Sequence, residues 1–546
     1  MKKTTKIALW VIGSFVVAII VALLSVNIWV TVLVQKKVHK AVEKIPNADA
    51  MVGNIFLSLL SGSAIVTDIT FATNSLAIED SVSGVRQPGL AIHIPTLSIW
   101  NINYYELLRH NHLAAYKITL DDPGVIVYLD EEHPEALLPA LPKDTTLEKA
   151  KQWLDSADIY HLEIENLKAK LHSTHTPLLL EVDSLNVKCR DLRYNFTDSV
   201  FAYNDSVYSL TIGSFVAKLP DAVSELEAHQ VATSDQGPVK LGYTRYRNII
   251  SAKKLADLYR EPTTWIDLEL NGVSTSSINP IRKALAKDFT LDSLRADVKR
   301  MHVFRDARHK PKTPFLPPQD YIEKSPVDFS IKHINALAHK VDVEFASTNI
   351  NCGELHVKNV RADLSNITNK RGAVWNCNAK APFGKQGNVD AKFLMTLNKA
   401  ANFELQMKAQ NVEINDLNTF LRPLVGITCD CHINQLDADY KGNRSIAKGE
   451  FCMQYTGLHV KVHKEDDIPY KIVTKHADTF TNLANSLIPK SNPTAVDICP
   501  RSYMVEWKRD EWSPYPLYLF GPCIDGVIKT MLPGLFVHKQ TKNKKK

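Results

Sequence analysis

The chain has 546 residues, 45% of them hydrophobic and 23% charged, with 27 Pro, 21 Gly and a formal net charge of +6, a globular composition that excludes a disordered or collagen-like chain. Lys2, Lys3 and Lys6 before the first apolar run, with Lys539, Lys542, Lys544, Lys545 and Lys546 in the tail, carry more than the whole excess and leave the body at −2. No basic stripe interleaved with aromatics is present, which excludes nucleic acid as a partner.

The first predicted element is Ile7 to Val34, which contains no charged residue. It exceeds the ~20 residues a helix needs to cross a bilayer. A cleaved signal peptide would have an apolar region of only ~7 to 15 residues and then a small-residue cleavage site, so the segment is expected to stay as an anchor. Three lysines precede it and Lys36, Lys37, Lys40 and Lys44 follow it, so loop charge does not orient it.

From residue 90 onward apolar residues recur with period 2, the pattern of strands with one buried and one wet face. Leu90, Ile92 and Ile94 open the series. Tyr160, Leu162 and Ile164 follow, then Leu178, Leu180 and Val182, then Leu185, Val187 and Cys189. In the second half come Val341, Val343 and Phe345, then Phe393, Met395 and Leu397, Phe403, Leu405 and Met407, Cys429, Cys431 and Ile433, and Leu458, Val460 and Val462. Turn chemistry separates them at Asp121-Asp122-Pro123-Gly124, at 398–402 and at Lys441-Gly442-Asn443. Short strands joined this way predict an antiparallel meander, and the absence of a βαβ rhythm argues against a parallel nucleotide-binding sheet.

Helices are predicted at Thr146 to Asp155, behind a capping-box-like start, and at His476 to Ile488, stopped by Pro489. Pro311, Pro314, Pro317, Pro318 and Pro326 crowd residues 305–326 and predict an extended connector between two β halves. Near the C-terminus Ile524, Val527, Ile528, Met531 and Leu532 fall on one helix face, with Pro522 near its start, Gly534 at its stop and the lysine tail beyond. That face can pack on the last strands, or meet an anionic membrane or a partner.

Chemistry has few footholds. G-x-S-x-G, H-E-x-x-H, G-x-G-x-x-G and P-loop patterns do not occur, so no enzyme activity, catalytic residue, metal or cofactor is expected. Cys429, Asp430, Cys431 and His432 form the best metal candidate, but on a strand the two thiols face opposite to His432; core thiols or a disulfide to a neighbouring strand are the alternatives. The pair of strands ending in Leu397 and starting at Phe403 places Phe393, Met395, Leu397, Phe403, Leu405 and Met407 on one face, as Val341, Val343 and Phe345 share another. Such a face must hide from water, either against a second sheet or against acyl chains.

This arrangement resembles the AsmA-like family of envelope proteins. The resemblance is carried by one N-terminal span followed by Met51 to Phe71, and by the strand, short helix with Leu107-Leu108, and strand ending at Pro123 within Leu90 to Leu129. Phe304 to Ala336 and Val412 to Val462 carry it further. It implies an inner-membrane anchor with the body in the periplasm of a Gram-negative-type cell. It also implies an elongated, twisted antiparallel β-groove with an apolar interior that holds or conducts phospholipid between the inner and outer membranes, in support of outer-membrane lipid homeostasis. No catalytic residue comes with it.

The organisation expected is therefore a cytoplasmic N-terminus (1–6), an anchor (7–34), an N-terminal groove half (35–304), a connector (305–326), a C-terminal half (327–513), an amphipathic helix (514–534) and a polybasic tail (535–546). Partners are phospholipid, the inner membrane and an outer-membrane or periplasmic protein at the C-terminal end. The competing function is a non-conducting structural or regulatory envelope protein with a closed, dry core.

Overall fold

The computed structural model describes residues 26–36, 38–40, 48–73, 88–130, 155–174, 179–195, 200–219, 221–235, 237–278, 289–325, 328–346, 352–463, 477–497, 499–531 and 539–540. The chain is mainly β and divides into two compact units, Met1–Gly237 and Pro238–Lys546. Of the expected anchor, residues 26–34 lie in a helical segment, 26–36, and 7–25 lie outside the described residues. Among the described residues no helix is long and apolar enough to cross a membrane. The N-terminal residues 1–6, residues 146–154 of the helix predicted at Thr146 to Asp155, and the tail 541–546 also lie outside them.

The first unit runs β1 (Ala48–Met51), β2 (Ile55–Ser58), β3 (Ser63–Thr73), β4 (Gly89–Trp100), α1 (Tyr104–His110), β5 (His112–Asp121), β6 (Gly124–Leu129), β7 (Ser156–Ser173), β8 (Leu179–Asn195), β9 (Val200–Lys218) and β10 (Ser224–Ser234). Helix α1 is the short helix expected around the leucine pair. The Asn103 side chain accepts from the Glu106 N–H at its start, and Asn111 ends it in the left-handed region.

The sheet is mixed rather than an antiparallel meander: β7 pairs parallel with both β5 and β6. A parallel neighbour needs a crossover of a dozen or more residues, and residues 130–155 supply that length. Asp121-Asp122-Pro123-Gly124, expected as a turn, reverses nothing. β5 and β6 both run antiparallel to β4 and parallel to β7, so they are one strand interrupted where Pro123 has no N–H to donate and Asp122 takes φ 52°.

That interruption belongs to a line of slips crossing the unit. Asp68 in β3 (φ 49°), Asn166 in β7 (φ 56°), Ser184 in β8 (φ 56°) and Gln230 in β10 (φ 55°) are all left-handed. The pairing skips at each, and at Pro95 in β4 and Gly213 in β9. Each slip switches the strand's apolar positions between even and odd numbers: Leu180 and Val182 become Leu185 and Val187, while Leu210 and Ile212 become Phe215 and Ala217. Because every strand slips at the same level, the apolar residues stay on one face. Between β7 and β8 the register itself shifts, between Ile164 and Leu167 and between Leu167 and Ala169, and because a bulge bends its strand and adds right-handed twist, the sheet is creased along this line. A Cβ at Gly213 would lie 2.9 Å from the Ser184 Cβ, which is why glycine stands there.

The second unit runs β11 (Pro238–Leu241), β12 (Thr244–Asn248), α2 (Ala252–Tyr259), β13 (Thr263–Ser277), β14 (Phe289–Asp306), α3 (Pro318–Glu323), β15 (Phe329–Ala346), β16 (Cys352–Thr368), β17 (Val374–Phe383), β18 (Gly387–Thr396), β19 (Phe403–Glu413), α4 (Asn418–Val425), β20 (Ile427–Gly442), β21 (Ile446–Val462), α5 (Ala477–Leu487), β22 (Ser491–Asn492), β23 (Arg501–Lys508), α6 (Tyr515–Met531) and β24 (Lys539–Gln540). Here too one pair, β14 with β15, is parallel. The hairpins expected at 398–402 and at Lys441-Gly442-Asn443 do join β18 to β19 and β20 to β21, the second held by Asn443 Oδ1 accepting from the N–H groups of Ser445 and Ile446.

The proline-rich stretch lies inside this unit and is tied down. Asp320 of α3 receives a two-pronged contact from Arg444 at 2.8 and 2.7 Å, the Phe315 N–H donates to Glu511 O, and the Arg509 guanidinium donates to Phe315 O. Helix α5 matches the predicted segment. Helix α6 begins seven residues before Pro522, which sits inside it.

The crease makes a demand on hydrogen bonding, because a bulge leaves backbone groups unpaired. Asn186 answers two adjacent bulges at once: its Oδ1 accepts from the Asn166 N–H at 2.9 Å and its Nδ2 donates to Ser184 O at 3.1 Å. Asn186→Ala should therefore cost about 1 to 2 kcal/mol in chemical unfolding, while Asn186→Asp, which keeps the acceptor alone, should fall between it and the wild type.

Candidate functional site

In the first unit the face kept apolar by the slips is laid out in rows across the strands. On one side of the crease Val66, Leu97, Leu120, Ile164, Val187 and Leu210 are successive cross-strand neighbours. On the other, Phe71, Ile92, Val125, Ala169, Val182 and Phe215 are. All twelve are only half-buried. Among the described residues the helix contacts in this unit are those of α1 on β5 and of the 26–36 segment, whose Asn27 bonds to Leu57 and Leu59. Within this unit no second sheet or helical layer of described residues lies on the rows.

The second unit repeats the arrangement across β13 to β16. Its slips fall between Glu269 and Gly272, between Val298 and Met301, between Ala338 and Val341, and at Asn359, whose φ is 53°. Ile266, Val303, Val343 and Leu355 form one apolar row, and Leu268, Met301, Val341 and Val357 the next. Val341, Val343 and Phe345 thus share a face, as expected, and are half-buried.

The opposite face of the same strands is charged. Asp267, His302, Asp342 and His356 are successive neighbours. Arg245 clamps Asp267 through two 2.8 Å bonds, and His302 meets Glu344 at 2.7 Å. Asp342, with its side chain 3% exposed, gathers Lys340 at 2.9 Å, His356 at 2.7 Å and Arg300 at 3.2 Å. Burial pushes its carboxyl up, but the three hydrogen bonds outweigh that and hold it at about 2. Every acidic group named here has a hydrogen-bonding partner within reach, which is the chemistry of a self-satisfied polar face.

At the C-terminal end the apolar face is sealed. Phe403 and Leu405, with Tyr440, Phe451, Tyr455 and Val505, form a core closed by Tyr515 and Tyr518 of α6. The Phe403 ring lies edge-on to Tyr518 at 5.7 Å and to Tyr515 at 6.3 Å. Tyr440 Oη donates to Leu519 O, and Tyr518 Oη to Asn443 O, both at 2.8 Å. A side chain at Gly521 or Gly526 would overlap the Trp507 or Phe451 ring, so these glycines let the helix descend onto the sheet. Phe393 and Met407 are packed against this core, and Met395 and Leu397 are buried nearby.

The predicted helix stripe divides. Val527 and Met531 turn to the core, whereas Ile524 and Ile528 look outward; Leu532 lies outside the described residues. The outward pair continues a stripe of Leu517, Phe520, Ile524 and Ile528, each 39–45% exposed, at the 3- and 4-residue spacing of one helix face. The helix is apolar nearly all round, so it has a face to bury and another left over.

Cys431 is buried and Cys429 is packed against the same core, while His432 on the other face bonds to Glu413 at 2.8 Å. All eight cysteines are free thiols, and burial pushes the Cys431 thiol up to about 12.

The rows of the first unit are the candidate surface, and alternation marked Ile92, Ile164, Val182 and Val187 in them without showing that they line up across the slips. Their signal was in the sequence as slips of parity at Asp, Asn, Ser and Gly, the residues that tolerate a left-handed backbone. In comparison with known proteins, the chain matches no family model and no curated protein.

Two substitutions separate these surfaces. Asp342→Asn should cost about 2 kcal/mol at neutral pH. Because the folded-state carboxyl lies below its ordinary value of about 3.9, the wild-type advantage should persist above pH ~4 and vanish as pH falls toward 2, as read from urea midpoints across pH. Leu405→Asp puts a charge in the sealed core and should cost at least about 3 kcal/mol, seen as lost near-ultraviolet dichroism of the tyrosine cluster.

Proposed function

We propose that this protein holds phospholipid by its acyl chains against the apolar face of its creased sheet, and conducts it along that face as an elongated groove. In this reading the segment 7–34 anchors the chain in the inner membrane of a Gram-negative-type envelope, the body lies in the periplasm and the lipid passes between the inner and outer membranes. The observation that carries the reading is the pair of half-buried apolar rows in the first unit, kept on one face by a slip in every strand and left without a covering layer among the described residues. Water is a poor neighbour for such a face, and a flexible hydrocarbon chain fits a surface that is long, apolar and free of polar anchor points. The resemblance to AsmA-like proteins points the same way.

The outward stripe of α6 fits the end of such a path. Leu517, Phe520, Ile524 and Ile528 offer an apolar face, and the lysines from 539 to 546 follow it in sequence, the combination that favours an anionic bilayer surface.

A second reading, a non-conducting structural envelope protein, draws on the sealed core beneath α6. The two make opposite statements about the first unit. Val187→Asp places a charge on a half-buried position from which it reaches water, so the variant should keep its urea midpoint within about 1 kcal/mol of wild type. Native mass spectrometry of the full chain in mild detergent should find phospholipid on the wild type and a severalfold lower load on the variant. A folded variant with the wild-type load, or a wild type that carries none, would leave the structural reading standing. With the full chain anchored in neutral vesicles, capture of second vesicles should need anionic lipid in them and should weaken severalfold when the tail lysines are replaced by glutamine.

A further inference from the structure

A β-sheet ends in a row of unpaired backbone groups unless something meets them. At the last edge of the second unit, the groups are met one after another by side chains. β21 is covered by β23 from Ile446 to Cys452 and by β22 at Tyr455 and Thr456. Beyond that the Leu458 N–H donates to Lys490 O at 3.0 Å. Asn485 of α5 then accepts from the Val460 N–H at 2.9 Å and donates to Val460 O at 2.7 Å, and Thr481 Oγ1 accepts from the Val462 N–H at 2.9 Å.

On β23, the final long strand, Arg501 and Ser502 pair with β24. The next outward groups belong to α6: Lys529 Nζ donates to Met504 O at 2.9 Å and Asp525 Oδ2 accepts from the Glu506 N–H at 3.0 Å. The two side chains also bond to each other at 2.7 Å.

The geometry is that of strands that are not there. An antiparallel neighbour in a hydrogen-bonded pair exchanges both bonds with one residue, which is what the Asn485 amide does with Val460. A parallel neighbour donates to the carbonyl before a residue and accepts from the N–H after it, which is what Lys529 and Asp525 do on either side of Val505. The same chain has strands at the other extreme of its order, β1 and β2, that pair only with β3 among the described residues. On β2 the groups at Leu57 and Leu59 are met by Asn27, which leaves β1 as the strand able to add to an edge, and the chain already accepts parallel and antiparallel neighbours.

We propose that the β21–β23 edge is a strand-docking surface for a second copy of this chain, held shut by the side chains of α5 and α6, with Asp525 and Lys529 as its principal bolt. Such a contact joins different surfaces of two copies, so an uncapped chain would associate head to tail. The proposal is independent of what the apolar face holds.

Full-length chain in detergent micelles tests it by sedimentation velocity over a wide concentration range, with hydrogen exchange of the 503–508 segment. The wild type should be monomeric with slow exchange at Glu506. Asp525→Ala with Lys529→Ala should raise exchange there at least tenfold when dilute, and self-associate when concentrated. The reversed pair, Asp525→Lys with Lys529→Asp, keeps an ion pair on the helix but sets a donor against the N–H and an acceptor against the carbonyl, so it should self-associate as well. A monomeric reversed pair would show that the bridge serves only the helix, and a monomeric double alanine variant would overturn the proposal outright. Adding Glu506→Pro to the double alanine variant removes the outward N–H that an incoming strand needs, and should restore the monomer. Association that survives the proline would come from exposed helix surface, and the edge would not be the docking site.

Discussion

Everything in this molecule depends on keeping apolar side chains on one face of a sheet that bends. A strand alternates its side chains strictly, so any extra residue sends all that follow to the opposite face. The slips at Asp68, Pro95, Asp122, Asn166, Ser184, Gly213 and Gln230 would scramble the face if they fell at different levels. Falling at one level, they cancel between neighbours, and Val187 still meets Leu210 on one side while Val182 meets Phe215 on the other. The backbone groups so released need partners, and Asn186 serves two of them. Hydrogen bonding and burial thus fix the crease together.

The two faces of the second unit solve opposite problems. Across β13 to β16 the charged face supplies its own partners, Asp342 alone drawing on Arg300, Lys340 and the His356 ring, and needs nothing from outside. The apolar face cannot satisfy itself in that way. Toward the C-terminus it is closed by α5 and α6, and the residues change accordingly: Phe403, Tyr440, Phe451, Tyr455 and Tyr503 are large and fully buried, where the rows of the first unit are Val, Ile and Leu with an occasional Phe. A helix packs on bulky side chains with specific contacts, as Phe403 does with Tyr515 and Tyr518.

Much of this was legible from residue types. Alternation marked the strands, the Leu107 region its short helix, and Ala477–Leu487 its helix. The parallel pairs were not legible, because alternation carries no direction and only the long stretches before β7 and β15 allowed a crossover. Asp121 to Gly124 misled because the residues that turn a chain also break a strand without reversing it: both uses need a left-handed residue and a missing donor. Residues 305–326 read as a connector because proline forbids regular pairing, yet Asp320, Phe315 and Arg444 tie that segment to its surroundings through contacts no local pattern reveals. The helix expected at 514–534 spans Tyr515–Met531 despite Pro516 and Pro522, but the division of its stripe was not legible, because a helix apolar nearly all round does not tell which half, Val527 and Met531 or Ile524 and Ile528, meets the sheet.

The energetics of the open rows bear on what lies against them. Burying an aliphatic or phenyl side chain in full is worth about 1.5 to 3 kcal/mol, so each half-buried one forgoes about 1 kcal/mol. The rows of the first unit hold about ten such residues, and the sum, on the order of 10 kcal/mol, matches the whole stability of an ordinary domain. A sequence selected only to fold would recover that energy with a helix, as this one does over Phe403 and Leu405, or would exchange outward positions for polar ones. Instead it keeps Val66, Leu97, Leu120, Ile164, Val187 and Leu210 apolar, and spends a left-handed residue or a break in nearly every strand to hold them together. In the reading proposed above, a surface maintained at that cost has its counterpart outside the described residues, and the uniform apolar character of the rows, with neither a charge nor a fixed hydrogen-bonding group among them, suits hydrocarbon.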